Sequence, residues 1–533
     1  MSKFPSIFNE VVGPIMRGCS SSHVAAALRI GLIVHDLLDG QPASSTVTFD
    51  SKEALSASYD GQGSAMGYSG GLVGFPPDSD QLAYAREIAA NKGVAIHFVV
   101  DDVPTNHPNT YLIEAESLSG RRLSMEAVSL GGGAIEIRRL MGIGVCLAGD
   151  LFLTVLHSLN STAAQQECAK IALENDSAQV ITVEHCQHHE NGSSLVIVGS
   201  RQPLSDDTVT KLIVQLQPAF CAQVRPVMPV LAGAGNQLPF TSAEEMLAYG
   251  GDKMSLADLA YCYEQARSGF SREQLQDLMG GVAQVMRNSI DAGLQGTFYE
   301  DRILPAQAPL TRTLENNPLI QSSMQRSIAY VSALMDMKSS MGLIVAAPTG
   351  GACGALGGAV WSAVDTLGGN GDDAIDALMA SGVIGVFIAK NATFSGEEGG
   401  CQAECGSGSA MAAAALVHLM GGTATQAVNA AALALQNTLG LVCDTVADRV
   451  EFPCLGRNVM AATNALSSAG MAMAGYRNII PLDETITALS DVARRIPLEL
   501  RCTGMAGLAT TPTGKALHKR LLNGESVQVL EIA

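Results

Sequence analysis

The chain has 533 residues, a formal net charge of −19, 47% hydrophobic residues, 16% charged residues and only 5% aromatics. The length exceeds what one hydrophobic core supports and predicts about three domains, while the abundance of Gly and Ala predicts closely packed helices rather than disorder. The acidic balance argues against a nucleic-acid binder and against an anionic membrane surface.

The amino-terminal MSKFPSIFNE has no apolar signal-peptide core, and no charge-free apolar run of about 18 residues follows. A soluble, cytoplasmic protein is expected. Twelve cysteines in such a chain do not read as a disulfide framework, because the compartment is reducing and a chain of this size needs no staples. Each is a small buried hydrophobe or a site residue.

Residues 1–149 predict an α/β domain. SSHVAAALRIGLIVHDLL has helical periodicity, and STVTFD and VAIHFVV read as strands. Glycines crowd DGQGSAMGYSGGLVG and SLGGGAIEI, which read as loops whose amides can approach a small anion.

Residues 150–230 run strand, helix (TAAQQECAKIALE), hairpin strands about Asn191-Gly192, helix and strand. This is the order of a ferredoxin-like module. His185, Cys186, His188 and His189 flank its hairpin; a solvated strand end accounts for them better than a zinc site, since no second ligand pair has the spacing.

Residues 231–240 read as a linker. Beyond it, Ser242 with Glu245, Ser255 with Asp258 and Ser271 with Gln274 form three candidate capping boxes. Residues 241–533 predict an all-helical region, so the fold class expected is multidomain α/β plus all-α.

Cys401 in GEEGGCQAEC, Cys443 in LGLVCDTVAD and Cys454 in EFPCLGRN are separated by 41 and 10 intervening residues. Gly and Pro next to Cys401 and Cys454 free the backbone from helical geometry, as a shared thiolate centre requires. The spacing alone matches no compact ferredoxin pattern.

The surrounding segments carry more. SGEEGGCQAECGSGSAMAAAALVHLMGG, LGLVCDTVADRVEFPCLGRNVMAATNA, MGLIVAAPTGGACGALGGAV and GLATTPTG resemble the catalytic domain of iron-sulfur-dependent L-serine dehydratases. GPIMRGCSSSHVAAALRIG, HPNTYLIEAES and SLGGGAIEI resemble the other domain of the same enzymes. The likeness spans essentially the whole chain, as a fusion of parts that are separate subunits in some relatives.

The resemblance implies a 4Fe-4S cluster on Cys401, Cys443 and Cys454, with a fourth iron free to act as a Lewis acid on the serine hydroxyl. The products implied are pyruvate and ammonia. The element order and position of the middle module resemble an ACT-type domain, which binds an amino acid or mediates association, and by analogy this module and the apolar helical surface pieces suggest a homodimer.

Ser20, Ser21 and Ser22 offer donors for a carboxylate at a helix start, and Thr349, Gly350 and Gly351 in PTGGACG offer amides to the substrate. PTGGACG is not a phosphate loop, for it lacks the Walker Lys and Ser/Thr. His23 is expected as the base or as a residue that orients substrate, with Lys390 second; a helix-cap histidine bonded to backbone is the plain alternative. Cys405, Cys353 and Cys502 are expected as core filler. Asn391, Thr393, Glu398 and Arg457 read equally as supporting polar groups and as satisfied core polars.

Three departures from the family pattern stand out. Cys19 and Val24 flank SSSH where Pro and Thr are usual. Gln62 stands where the family has a histidine, and an amide is no base at neutral pH. No cysteine follows Cys502, so water or another exogenous ligand is expected on the open iron at rest.

Two rivals remain open at this point: β-elimination from cysteine, threonine or another β-substituted amino acid, and a non-catalytic cluster or amino-acid sensor. A helical protein with buried cysteines and no metal is the simplest alternative.

Overall fold

The computed structural model describes residues 4–39, 41–159, 173, 176–187, 192–233, 237–314, 317 and 319–523. Over these residues it is a mixed α/β molecule with three sheets and a helical carboxy-terminal region. The expected TAAQQECAKIALE helix, His188, His189 and Asn191 lie outside the described residues, apart from Leu173.

The first large sheet has strands β2 (Pro42–Asp50), β3 (Ala95–Asp101), β4 (Thr110–Ser117), β5 (Arg122–Gly131), β6 (Ala134–Leu140) and β7 (Ile143–Leu147), in the order β3-β2-β4-β5-β6-β7. Only β2 and β3 run parallel. That pair is the one joined through helices, as a parallel crossover demands.

The second sheet is antiparallel, with β8 (Phe152–Ser158), β9 (Val180–Gln187), β10 (Ser194–Ser200) and β11 (Phe220–Val224) in the order β11-β8-β10-β9. Strand alternation decides its two faces. Leu153, Val155, Leu195 and Ile197 join the core of the first sheet and the Ala26–Leu38 helix. Leu156, Val196 and Val198 instead pack with Leu212 and Leu216 of the Asp206–Leu216 helix. Ser205 caps that helix by accepting from the Thr208 amide.

The glycine-rich stretch read as a loop at DGQGSAMGYSGGLVG is, over Ser64–Leu72, a helix. Its glycines serve close packing. A Cβ on Gly67 would lie 2.2 Å from the Val24 carbonyl oxygen and one on Gly71 2.0 Å from that of Leu28, so this helix rests directly on the backbone that carries SSSH. The second glycine run does turn: Gly131, Gly132 and Gly133 all have positive φ between β5 and β6. A Cβ there would meet Ser395 N at 2.7 Å and Pro348 O at 2.8 Å, which docks the hairpin on the helical region.

In the helical region, Ser271 and Gln274 form a reciprocal capping box. Ser242 and Ser255 accept from the amides of Glu245 and Asp258, but the Glu245 carboxylate turns to Thr241 instead. The alanine-rich Ser407–Leu419 helix is buried from Ser407 to Val417, among the Cys353–Leu367, Gly371–Asn391, Ala424–Gln436 and Cys454–Met473 helices.

The amino terminus is woven into this bundle. Strand β1 (Ile15–Arg17) pairs antiparallel with β12 (Leu343–Val345). Ile7 and Val11 fill the space above Gly382 and Gly385, where a Cβ would approach them to 2.4 and 2.1 Å. The apolar run Ser21–Leu38 is long enough to cross a membrane by length and composition, and 83% of it is buried inside the fold.

Gly71→Ala should cost about 1–3 kcal/mol or more through overpacking against Leu28. Gly144→Ala, with nothing within 4 Å of the added carbon, should leave the denaturation midpoint nearly unchanged. Chemical denaturation of the two variants side by side checks this.

Candidate active site

Cys401 heads the wide, π-helical turn Gln402–Gly406, freed by Gly400, whose φ is +70°. Cys454 opens the Cys454–Met473 helix after Pro453. Cys443 lies in an extended bridge beside Arg501. The three thiols come from separate segments and all are buried.

Cys401, Cys405, Cys443 and Cys502 pack in one group walled by Ala352, Ala355 and Ala461. Cys454 adjoins it, within electrostatic reach of Cys401 and Glu404. Cys405 and Cys502, expected as filler, are thus beside the other thiols; Cys353 is not, and its Sγ faces the sulfur of Met335.

The thiols are not alike electrically. A hydrogen bond from Cys405 holds the Cys401 thiol below its ordinary value against the effect of burial, with Arg457 helping. Contact with Cys502, then burial, pushes Cys443 up; burial does the same to Cys454. Binding a cation here would drive off those protons.

Among the described residues no group of three or more His, Cys, Asp or Glu side chains surrounds a point as ligands of one ion do. A multi-iron cluster asks for a different arrangement, with one thiolate on each iron around a shared inorganic core. Buried soft donors on separate segments, walled by alanine, fit that demand.

Two loops line the thiol group. Thr349 Oγ donates to Glu404 Oε1 at 2.9 Å and accepts from the Ala352 amide at 3.0 Å. The Glu404 carboxyl is pinched between Gly351 and Gly396, on either of which a Cβ would lie 2.8 Å from an oxygen. Burial, then the neighbouring Cys401, raises its pKa well above the usual carboxylate range.

Asn458 knits the walls together. Its Nδ2 donates to the carbonyls of Gly351 at 2.8 Å and Cys454 at 2.9 Å and approaches Cys405 Sγ at 3.6 Å, while Oδ1 accepts from Ala355 N at 2.9 Å. Arg457 reaches Val442 O at 2.9 Å and Asp444 at 2.6 Å.

The SSSH segment meets the same loop. Gly350 N donates to Ser21 Oγ at 2.9 Å, and Ser20, Ser21, Ser22 and His23 are buried at the start of the turn that leads into Ala26–Leu38. His23 is bonded on both ring nitrogens: Nδ1 to Ser20 Oγ at 2.9 Å and Nε2 to Ser58 Oγ at 2.8 Å. The Ser58 hydroxyl gives its proton to Ala54 O, which leaves it to accept from Nε2–H. The lone pair is therefore on Nδ1, which Glu397 Oε1 faces at 3.7 Å. Burial lowers the His23 pKa, and Glu397 only partly offsets this.

The HPNT motif holds the two acidic residues of GEEGG. Asn109 Nδ2 donates to Glu397 and Ser395 at 3.2 Å each, and His107 pairs with Glu398 at 2.5 Å. Gln62 Nε2 donates to Cys502 Sγ at 3.2 Å. Lys390 is not brought in: it is exposed, and its ammonium lies on Thr241 O at 3.1 Å. Asn391 bonds only its own helix, at Phe387 O, and Thr393 Oγ accepts from Ser395 N. On β9, His185 is exposed and Cys186 half-buried, away from these thiols.

A family model for the serine dehydratase alpha chain matches residues 241–509. The chain belongs to the serine dehydratase alpha chain family. A probable L-serine dehydratase alpha chain of Bacillus subtilis is 36% identical over 292 residues, which are 54% of this chain and 96% of that one. A similarly named protein of Latilactobacillus sakei is 44% identical over 198 residues, 37% of this chain and 95% of its own. L-serine dehydratase 1 of Escherichia coli is 34% identical over 284 residues, covering 51% of this chain and 62% of that one.

Sequence reasoning missed several polar residues of this serine dehydratase site. Glu404 sits between two cysteines, and its charge in a glycine-rich, apolar stretch was the available signal. Lys338 is fully buried, with its ammonium on Val450 O, close enough to Cys454 and Glu404 to act on both electrostatically. No local pattern in DMKSS marks it.

Asn458→Ala would remove the donor to the Gly351 carbonyl in a buried wall, while the Ala355 amide keeps the Ala352 carbonyl, at about 1–3 kcal/mol for the group left unsatisfied. Denaturation of the metal-free variant should show a loss in that range without any change in far-UV circular dichroism.

Proposed function

We propose that this protein deaminates L-serine to pyruvate and ammonia, and that Cys401, Cys443 and Cys454 hold the 4Fe-4S cluster it uses. The observation that carries the reading is the meeting of Cys401 and Cys443 in one buried, alanine-walled group that Cys454 adjoins, within a chain of the serine dehydratase alpha chain family. When bound, the cluster supplies a Lewis-acidic iron that makes the serine hydroxyl a tolerable leaving group.

The protein's own groups do the rest. The hydroxyls of Ser21 and Ser22 and the Thr349–Gly351 loop receive the substrate carboxylate. His23, neutral because it is buried, takes the Cα proton at Nδ1 as the Ser20 hydroxyl turns away from it. Glu397 steadies the imidazolium so formed, and Asn109 and Ser395 fix that carboxylate. Exclusion of water by the buried walls strengthens each of these interactions. Elimination leaves aminoacrylate, which tautomerises and takes up one water to give pyruvate and ammonia.

The order β11-β8-β10-β9, fourth strand, first, third, second, supports the ferredoxin-like, ACT-type reading of residues 150–230. In that reading the module binds an amino acid or pairs two copies of the chain. One observation favours a second substrate: the donor at position 62 is an amide bonded to a thiol, so a β-substituted amino acid other than serine is the alternative for the same chemistry.

Anaerobically purified protein should carry about four irons and four sulfides per chain and release pyruvate and ammonia from L-serine; Cys401→Ala should lose both properties. A cluster without serine turnover, but with turnover of cysteine or threonine, selects the second substrate class. His23→Gln should keep the iron and lower kcat about 10²- to 10⁴-fold. Because burial depresses the His23 pKa, the acid limb of the wild-type kcat/KM profile should fall below pH 6.5, the ordinary imidazole value.

A further inference from the structure

Glu397 is a carboxylate held by one oxygen only. Its Oε2 receives Asn109 Nδ2 at 3.2 Å and the Ser395 hydroxyl at 2.7 Å. Its Oε1 takes no hydrogen bond among the described residues, although the side chain is only 4% exposed, and faces His23 Nδ1 at 3.7 Å. Asn109 is in a similar state: its amide nitrogen donates to Ser395 and Glu397, while Oδ1 is buried without a partner. Buried acceptors are costly to leave without a donor.

The free oxygen is within reach of a ligand. A cleft of about 550 Å³ is lined by Glu53, Glu397 and Glu398 together with Lys390, Arg494 and Arg501. Lys390 and Arg494 are exposed, so the cleft is open to solvent, and Glu397 alone among these charged residues is buried. Walls that carry both signs of charge suit the approach of a zwitterion. Glu398 is engaged by His107, and Arg501 donates to the carbonyls of Ile496 and Arg494. Glu397 keeps an oxygen for what enters.

Two acceptors without donors, one of them anionic, call for a cation with several N–H groups. His23 does not supply it, because Nδ1 carries the lone pair and accepts from Ser20. An ammonium has three donors. In an α-amino acid, Cα lies one bond, about 1.5 Å, from that nitrogen, so an ammonium on Oε1 brings the Cα proton beside the Nδ1 that Oε1 faces.

We propose that Glu397 Oε1, joined by Asn109 Oδ1, holds the α-ammonium of the substrate, and that the cleft is the way in. The inference rests on the amino-acid lyase reading of this site and adds a requirement to it: the substrate carries an unsubstituted, protonated α-amino group. A carboxylate that keeps this group protonated also eases loss of the Cα proton, since an ammonium withdraws electrons from Cα. Substrate ammonium and product imidazolium use the same oxygen in turn.

The test compares anaerobically reconstituted wild type with Glu397→Gln, matched for iron, sulfide and far-UV circular dichroism. Each is titrated calorimetrically with L-alanine, which has the ammonium but no β-leaving group, and with L-lactate, in which a hydroxyl replaces the ammonium. Wild type should bind L-alanine more tightly. Glu397→Gln should weaken L-alanine about 10- to 100-fold, as loss of a charge-assisted hydrogen bond does, and L-lactate less than about twofold. The KM for L-serine should rise by a factor similar to the loss for L-alanine. If Glu397→Gln does not fold, Glu397→Asp, which keeps the charge but draws it back by one bond, carries the same expectation of a loss confined to L-alanine.

Equal losses for the two ligands, no loss for L-alanine, or no preference for it in wild type would overturn the ammonium site and leave serine turnover by the wild type standing. A wild type with a full cluster that turns over no β-substituted amino acid would instead bring down the lyase reading, and this inference with it.

Discussion

The site depends on a backbone contact between two distant segments. The SSSH turn and the PTGGACG loop meet where Gly350 N donates to Ser21 Oγ, and a Cβ on Gly350 would lie 2.8 Å from Ser21 N. Only glycine permits that approach. Through it the imidazole, its serine partners and the thiol group belong to one rigid object, although they derive from opposite ends of the sequence. The same principle recurs at Gly351 and Gly396 around Glu404, and at Gly131 and Gly132 where the β5–β6 hairpin meets the helical region.

The electrostatics follow from that enclosure. Thiols, the carboxyls of Glu397, Glu398 and Glu404, the imidazoles of His23 and His107 and the cations Lys338 and Arg457 are gathered in largely buried surroundings, so each feels its neighbours strongly. Lys338 and Arg457 oppose the negative charge that thiolates bring, and His107, Asn109 and Ser395 hold the carboxylates of Glu397 and Glu398 in place. Placement of charge is thereby settled before any ligand arrives, which is the condition for electrostatic catalysis without reorganisation.

Much of this was legible in the sequence, and for identifiable reasons. Alternation and turn residues marked two strands of the six-stranded sheet, STVTFD and VAIHFVV, and the strands of the four-stranded one, Ser-x-x-Gln marked a capped helix at Ser271, and Gly or Pro beside a cysteine marked segments outside helices. The misreadings share a cause. Glycines at positions 67 and 71 look alike in a loop and in a helix–helix contact, since the pattern carries no information about what lies opposite. Cys405 and Cys502 are buried, as core filler is, and only the spatial neighbours of these two and of Lys338 reveal how close they lie to the other thiols. His107 and Asn109 were recognised as part of a motif, yet their partners, Glu398 and Glu397, lie almost 300 residues away.

The threading of the first residues into the helical bundle has a consequence for how the chain is made. Ile7, Val11 and Met16 are synthesised long before the surfaces that cover them, Leu343–Val345 and Gly382–Gly385. At about 5–20 residues per second, the interval between the two is on the order of tens of seconds. Throughout it those covering surfaces are missing, although Ile7 and Asn9 find Glu264 and Val230 as soon as these are made. Final assembly of the site is thus a late event in biosynthesis.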